Sequence, residues 1–249
     1  WSSDVCSSDL DGTILVNDLE SNASLQYSLD GGTTWSSSGS LGVKTITPTY
    51  GSDGSKSVIV RQVNSNGVYG LNSATLNITL DTTKPSTPIL NLTTDTLGTS
   101  SSDKITSNNS ISVSNLDGST TSWEYSTDGG STWNAGNTVN ATSLVVGNTY
   151  VIKTIAGGST FTSVGASSNT IGVIFKATGT SAGGTDTVFL VQTSGTFSAG
   201  ATNGARTVLA RQTDLAGNVG NASSFSFTLD TASPTVSRSE EHTSELQSH

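Results

Sequence analysis

One phrase occurs twice in this chain. Leu25-Gln-Tyr-Ser-Leu-Asp-Gly-Gly-Thr-Thr-Trp35 returns as Trp123-Glu-Tyr-Ser-Thr-Asp-Gly-Gly-Ser-Thr-Trp133, and Tyr27 stands 98 residues before Tyr125. A second phrase also recurs, as Leu80-Asp-Thr-Thr-Lys-Pro85 and Leu229-Asp-Thr-Ala-Ser-Pro234. The spacing is close to the ~100 residues of a two-sheet β-sandwich. Chains that repeat one β-module act as stalks or adhesive arrays, because each copy contacts mainly its neighbours.

The local pattern agrees with strands. Ser110-Ile-Ser-Val-Ser114 places Ile111 and Val113 on one face, and Ser122-Trp-Glu-Tyr-Ser126 turns Trp123 and Tyr125 inward and Glu124 outward. Thr207–Thr213 and Ser224–Leu229 continue the alternation, the latter with Phe225, Phe227 and Leu229 on the buried side. Period two is the mark of half-buried antiparallel strands, and no window sustains helical spacing. Asp30-Gly31-Gly32, Asp128-Gly129-Gly130 and Asp214-Leu-Ala-Gly-Asn218 read as hairpin turns, with Asn64-Ser-Asn-Gly67 in the last place in the first copy. Glycine accepts the positive φ of a tight turn, and Asp closes it with its carboxylate.

The copies are unequal. Between Trp133 and Arg211 the second carries 52 residues more than the first does between Trp35 and Arg61. Most of the excess falls between Leu144 and Val188, and residues 143–188 read as a small β-module inserted at a loop. Strand patterns at Tyr150–Thr154 and Gly172–Lys176, and apolar residues at Tyr150, Ile152, Phe161, Ile171 and Phe175, give it a core of its own. The first copy lacks counterparts of Pro88–Leu92 and Lys104–Thr106, so a sheet edge there is expected to stand unpaired. The division is thus 11–80, a truncated sandwich; 81–142 with 189–237, a second and discontinuous one; and 143–188, the insert.

The two ends read differently. Residues 238–246 are the codons of AGATCGGAAGAGCACACGTCTGAACTCCA, and residues 1–10 are the codons of its reverse complement. Both resemble a translated sequencing adapter, so 1–10 and 238–249 are read as assembly scars on a metagenomic fragment and set apart from the fold. Cys6, His242 and His249 all lie in them. Residues 11–237 hold nine Lys and Arg against fourteen Asp and Glu, a net charge of −5, and no Cys, His or Met.

That inventory narrows the chemistry. A nucleophilic triad needs a base, usually His, and zinc favours His and Cys. Outside the ends the glutamates are Glu20 and Glu124, in separate copies, which leaves no glutamate pair for glycoside hydrolysis. No phosphate-binding Gly-rich loop is present. The reading is therefore that this is not an enzyme. A mildly acidic chain without a basic stripe is a poor nucleic-acid binder. No apolar run of about 18 residues is present to insert in a membrane as a helix.

Taken together, Tyr-Ser-X-Asp-Gly-Gly-X-Thr-Trp, Arg211-Gln-Thr-Asp-Leu-Ala-Gly-Asn218 and Leu-Asp-Thr-X-X-Pro resemble the bacterial Ig-like repeats of large surface adhesins and biofilm-associated proteins. The likeness spans nearly all of 11–143 and 189–237, and departs at Val63-Asn-Ser-Asn-Gly67. The insert resembles short modules of phage virion and bacterial surface proteins. The resemblance implies an all-β fold of tandem immunoglobulin-like antiparallel β-sandwiches, the second with an inserted small β-module. It implies a non-catalytic spacer stalk in cell adhesion, at the bacterial cell surface or secreted, whose partners are neighbouring repeats and surface glycans or proteins. The alternative is a phage tail or virion module that binds surface glycans.

No cofactor is called for. Calcium is the one ligand with physical support, since it takes oxygens from Asp, Asn and backbone carbonyls. The candidates are Asp81, Asp95, Asp103 and Asp214, with Asp117 as a further loop-end acid. Against them, Asp81 and Asp230 can instead cap turns ahead of Pro85 and Pro234.

Overall fold

The computed structural model describes residues 12–96, 102–117 and 122–235, together with the backbone of Ser8–Asp9. The rest of 1–10 and all of 238–249, set apart above, lie outside the described residues.

The first copy contributes β1 (Ser8–Asp9), β2 (Ile14–Leu15), β3 (Ala23–Ser28), β4 (Ser36–Ser37), β5 (Thr45–Ile46), β6 (Gly54–Asn64) and β7 (Leu76–Leu80). One sheet runs β1-β7-β6-β3-β4, and facing it is the short pair β2-β5. Ile14, Val16, Leu25, Ile46, Val58 and Val60 fill the space between. The edge beside β7 departs from the expectation. Ser8–Asp9 pair in parallel with Thr79 and Leu80. Backbone pairing asks only for extended chain, so residues outside the repeat can supply it.

The second copy begins with β8 (Ile89–Leu92), β9 (Ile105–Thr106), β10 (Ser110–Ser114), β11 (Ser122–Ser126) and β12 (Asn134–Ala135). The inserted stretch follows with β13 (Thr138–Asn140), β14 (Thr149–Ile152), a 3₁₀ turn at Phe161–Val164, β15 (Ile174–Lys176) and β16 (Thr187–Leu190). The sandwich then resumes with β17 (Gly195–Ser198), β18 (Gly204–Thr213) and β19 (Ser223–Leu229). Its sheets run β17-β10-β8 and β12-β11-β18-β19-β9. This division, three strands against a longer sheet with the hairpin β18-β19 at its centre, is that of an immunoglobulin-like sandwich.

Trp123, Ile111, Val113, Val208 and Leu229 are each at most 1% exposed and form its core, with Tyr125 stacked on Phe197 at 4.3 Å. Burial of such side chains is worth roughly 1.5–3 kcal/mol each, and in a chain without disulfides it is the main source of stability.

The insert is a four-stranded antiparallel sheet, β13-β16-β14-β15. Its separate core includes Tyr150, Ile152, Phe161, Phe175 and Val188. Ile171, expected inside, is 58% exposed because it lies in the turn that precedes β15. The sheet reaches past 143–188 at both ends, to Thr138 and Leu190. The connection from β4 to β5 is 38–44, whereas that from β12 to β17 is 136–194, so the whole excess of 52 residues sits in one connection.

Candidate functional site

The recurring phrase builds the same brace twice. In the first copy the Ser28 hydroxyl donates to Asp30 Oδ1 at 2.7 Å, and the Gly32 N–H donates to Ser28 Oγ at 2.7 Å. Thr34 donates its N–H to Oδ1 at 2.8 Å and its hydroxyl to Oδ2 at 2.6 Å. Ser126, Asp128, Gly130 and Thr132 repeat the set at 2.7, 2.9, 2.9 and 2.6 Å. Gly31 and Gly129, at φ of 73° and 74°, supply the left-handed step that lets the chain close on the carboxylate. The Thr34 hydroxyl, then its N–H and the Ser28 hydroxyl, hold Asp30 down to a pKa of about 2. Thr132 and Ser126 hold Asp128 at about 2 in the same order. Donors that stabilise the charged form have this effect.

The terminal tryptophan of each phrase carries a cation. Arg61 lies 4.0 Å over Trp35 and 4.0 Å over Tyr69, and both its Nε and one terminal nitrogen donate to Gln26 Oε1. Arg211 lies 4.0 Å over Trp133 and pairs with Glu124 at 2.9 Å. Contacts of this kind at half-exposed sites are worth about 0.5–1 kcal/mol, enough to fix a face and too little to carry a fold.

The next residue along the strand does more. Gln212 is fully buried, accepts the Asp117 N–H at 3.0 Å, and donates to the carbonyls of Asn115 and Ser86 at 3.2 and 2.5 Å. Gln62 holds Glu20 N–H and the Asp18 carbonyl, each at 3.1 Å. Asp18 and Asn115 are both left-handed at φ of 60°, so the same glutamine locks the same loop in both copies.

The Leu-Asp-Thr phrase is also used twice. Thr82 donates its N–H and hydroxyl to Asp53 Oδ1, and Thr231 does the same to Asn203 Oδ1. The Thr83 hydroxyl, with Thr82 adding to it, lowers the Asp53 pKa. In the insert, Asp186 is 2% exposed. Burial pushes its pKa up, but N–H groups of Ser159 and Gly157 and the hydroxyls of Ser159 and Thr154 outweigh that, so it ends below the usual value.

The calcium candidates fall into two pairs. Asp81 accepts the Thr83 N–H, a turn cap, while its carbonyl takes the Asn218 side-chain amide at 2.8 Å. The same amide donates to Asp214 Oδ2 at 3.0 Å, so Asn218 links Asp81 to Asp214. Asp95 accepts the Lys104 N–H and Asp103 the Ile105 N–H. Asp117 accepts the Ser86 N–H. Among the described residues no three acidic, His or Cys side chains converge as a metal ion would need. Calcium at these positions is a proposal that stands on ligand type alone. Among the described residues no helix is long and apolar enough to cross a membrane.

Gln62, Gln212, Asp53 and Asp186 were not expected as key residues. The recurrence of Arg-Gln at equivalent places carried a signal for the first two.

No family model matches the chain, and no curated protein is similar to it in sequence. Among solved structures, the fibronectin(III)-like modules of Clostridium thermocellum CbhA align over 92% of this chain and 93% of theirs, at 10% identity and a TM-score of 0.39. The FN1–FN3 domains of chicken CNTN1 align over 89% of this chain and 61% of theirs, at 14% and 0.40. The D00–D0 domain of intimin aligns over 90% and 95%, at 12% and 0.16. These similarities are too distant to bear on function.

Proposed function

We propose that the chain is a non-catalytic spacer region of a large bacterial surface or secreted protein, which holds a distal domain away from the cell in adhesion. The observation that carries this reading is the use of the repeated residues. In both copies Asp30 and Asp128, Arg61 and Arg211, Gln62 and Gln212, and Thr82 and Thr231 are engaged in bracing turns, loops and strand ends. What has been repeated is a way of staying folded and joined. The partners proposed are neighbouring repeats. Support comes from Asn218 and Gln212, which reach the carbonyls of Asp81 and Ser86 in the segment that joins the two sandwiches.

The test is a display experiment. One, two or four tandem copies of 11–237 are placed between a cell anchor and an antibody epitope on an encapsulated bacterium. Antibody access is expected to rise with copy number, and access independent of copy number overturns the spacer reading. A glycan array read with and without 143–188 tests the virion alternative. Glycan binding that disappears with the insert would make the chain a binding module instead.

A further inference from the structure

Two Asn-Gly pairs occur in the chain, Asn66-Gly67 and Asn203-Gly204, and the fold treats them in opposite ways. Asn66 lies at the exposed tip of the hairpin beyond β6. Its main-chain N–H donates to Asn64 Oδ1 at 3.0 Å, while its side-chain amide has no hydrogen-bond partner among the described residues. Gly67 is left-handed at φ of 78°, and no other group lies within 4 Å of where a Cβ would stand. Its N–H is held only by the turn, at 2.9 Å from the Asn64 carbonyl. The counterpart of Asn66 in the second sandwich, Ala216, stays part-exposed although Asn218 of that hairpin holds the linker at Asp81.

Asn203 is clamped. Its Oδ1 accepts the Thr231 N–H at 3.1 Å and the Thr231 hydroxyl at 2.7 Å, and Gly204 is paired with Leu229 in the β18-β19 ladder. An acid would fit at this place, since the first copy has Asp53 there with the same two donors from Thr82. What the clamp withholds is the motion that would make the acid.

We propose that Asn66 is a site of self-modification, at which the chain turns its own amide into a carboxylate without an enzyme. The Gly67 nitrogen attacks Asn66 Cγ, and the new C–N bond closes a succinimide. The side-chain nitrogen leaves as ammonia, taking the proton that Gly67 gives up. Water then opens the ring. Breaking the bond to Cγ gives aspartate, and breaking the bond to the Asn66 carbonyl carbon gives isoaspartate. Glycine is suited to the attack because it has no Cβ to crowd the nitrogen. The turn must open first, and an exposed loop tip opens far more readily than a paired strand. Either product adds a negative charge to the tip. Isoaspartate also runs the main chain through Cγ, lengthening a turn that Asn64 closes on Gly67 and Val68. The hairpin thus records the age of the molecule. The inference does not depend on whether the chain spaces a surface domain.

The test is to hold the full chain at mildly alkaline pH in ¹⁸O-labelled water and follow label at each Asn-Gly pair by peptide mass. In the folded chain Asn66 is expected to convert at least about tenfold faster than Asn203, and in urea the two should convert at similar rates. Isoaspartate methyltransferase is expected to label the Asn66 peptide. Asn66→Ala, which copies the second sandwich, should abolish the fast uptake of label. Thr231→Val should speed conversion at Asn203 by loosening its clamp. No conversion at Asn66 in the folded chain, or the same ratio of rates folded and in urea, overturns the proposal. An Asn203 rate unchanged by Thr231→Val overturns the clamp as the reason for the difference.

Discussion

Replacing Gln212 by Leu, a side chain of similar size, should unmask how the second sandwich is locked. The substitution removes three hydrogen bonds, to the Asp117 N–H and the Asn115 and Ser86 carbonyls. A satisfied bond contributes about 1 kcal/mol, and a buried group left unpaired costs about 1–3 kcal/mol. Asn115 and Ser86 are exposed, so water can reach those carbonyls, while Asp117 is half-buried. The total is therefore about 2–3 kcal/mol, at the low end of what three bonds could give. Gln62→Leu breaks two bonds at exposed groups and should cost about 1 kcal/mol or less.

In a calorimetric melt of the full chain, followed in parallel by the fluorescence of buried Trp123, the second sandwich is expected to melt about 10 °C lower in Gln212→Leu. The first should move by only a few degrees in Gln62→Leu. Equal shifts in the two variants, or a Gln212→Leu protein that melts with the unaltered one, would refute the argument that burial decides the difference.

Other outcomes follow from the same structure. Asp30 and Asp128 have folded values of about 2, below the ordinary 3.8. Their contribution to stability is whole above 3.8 and lost as pH falls towards 2. Carboxyl resonances that titrate near 3.8 in the folded protein would contradict this. A methyl group added at Gly136 would stand 2.3 Å from the Trp123 ring, so Gly136→Ala should destabilise the second sandwich by about 1–3 kcal/mol. A denaturant midpoint unchanged in Trp123 fluorescence would count against it. Calcium at Asp81, Asp95, Asp103 or Asp214 predicts a higher melting midpoint for 11–237 in Ca²⁺ than in chelator. Identical midpoints remove that proposal.

The strands were readable because period-two alternation reports a one-sided burial directly. Ile111, Val113, Trp123, Phe227 and Leu229 are buried where the alternation put them. The same alternation sets Gln212 on the inward face with Val208 and Ala210, yet a polar residue there does not name its partners. They come from loops 95 to 126 residues away, and only the tertiary fold brings them near. Asp53 and Asp186 were opaque for a related reason, since their donors lie 27 to 32 residues off. Ser8–Asp9 was missed because a main-chain pairing leaves no mark in side-chain pattern.

The place of the insert has a mechanical consequence. Asn137 and Leu190 are bonded to each other in both directions, through the Leu190 N–H at 2.9 Å and the Asn137 side-chain amide at 2.8 Å. The chain thus leaves the sandwich and comes back through a closed neck. Tension applied along the polypeptide crosses that neck and bypasses everything beyond it. Residues 138–189 are hidden length, kept off the load path while the neck holds. If it yields, those 52 residues can pay out about 180 Å of slack at ~3.4 Å each, a shock absorber that stays folded until the link carrying it has failed.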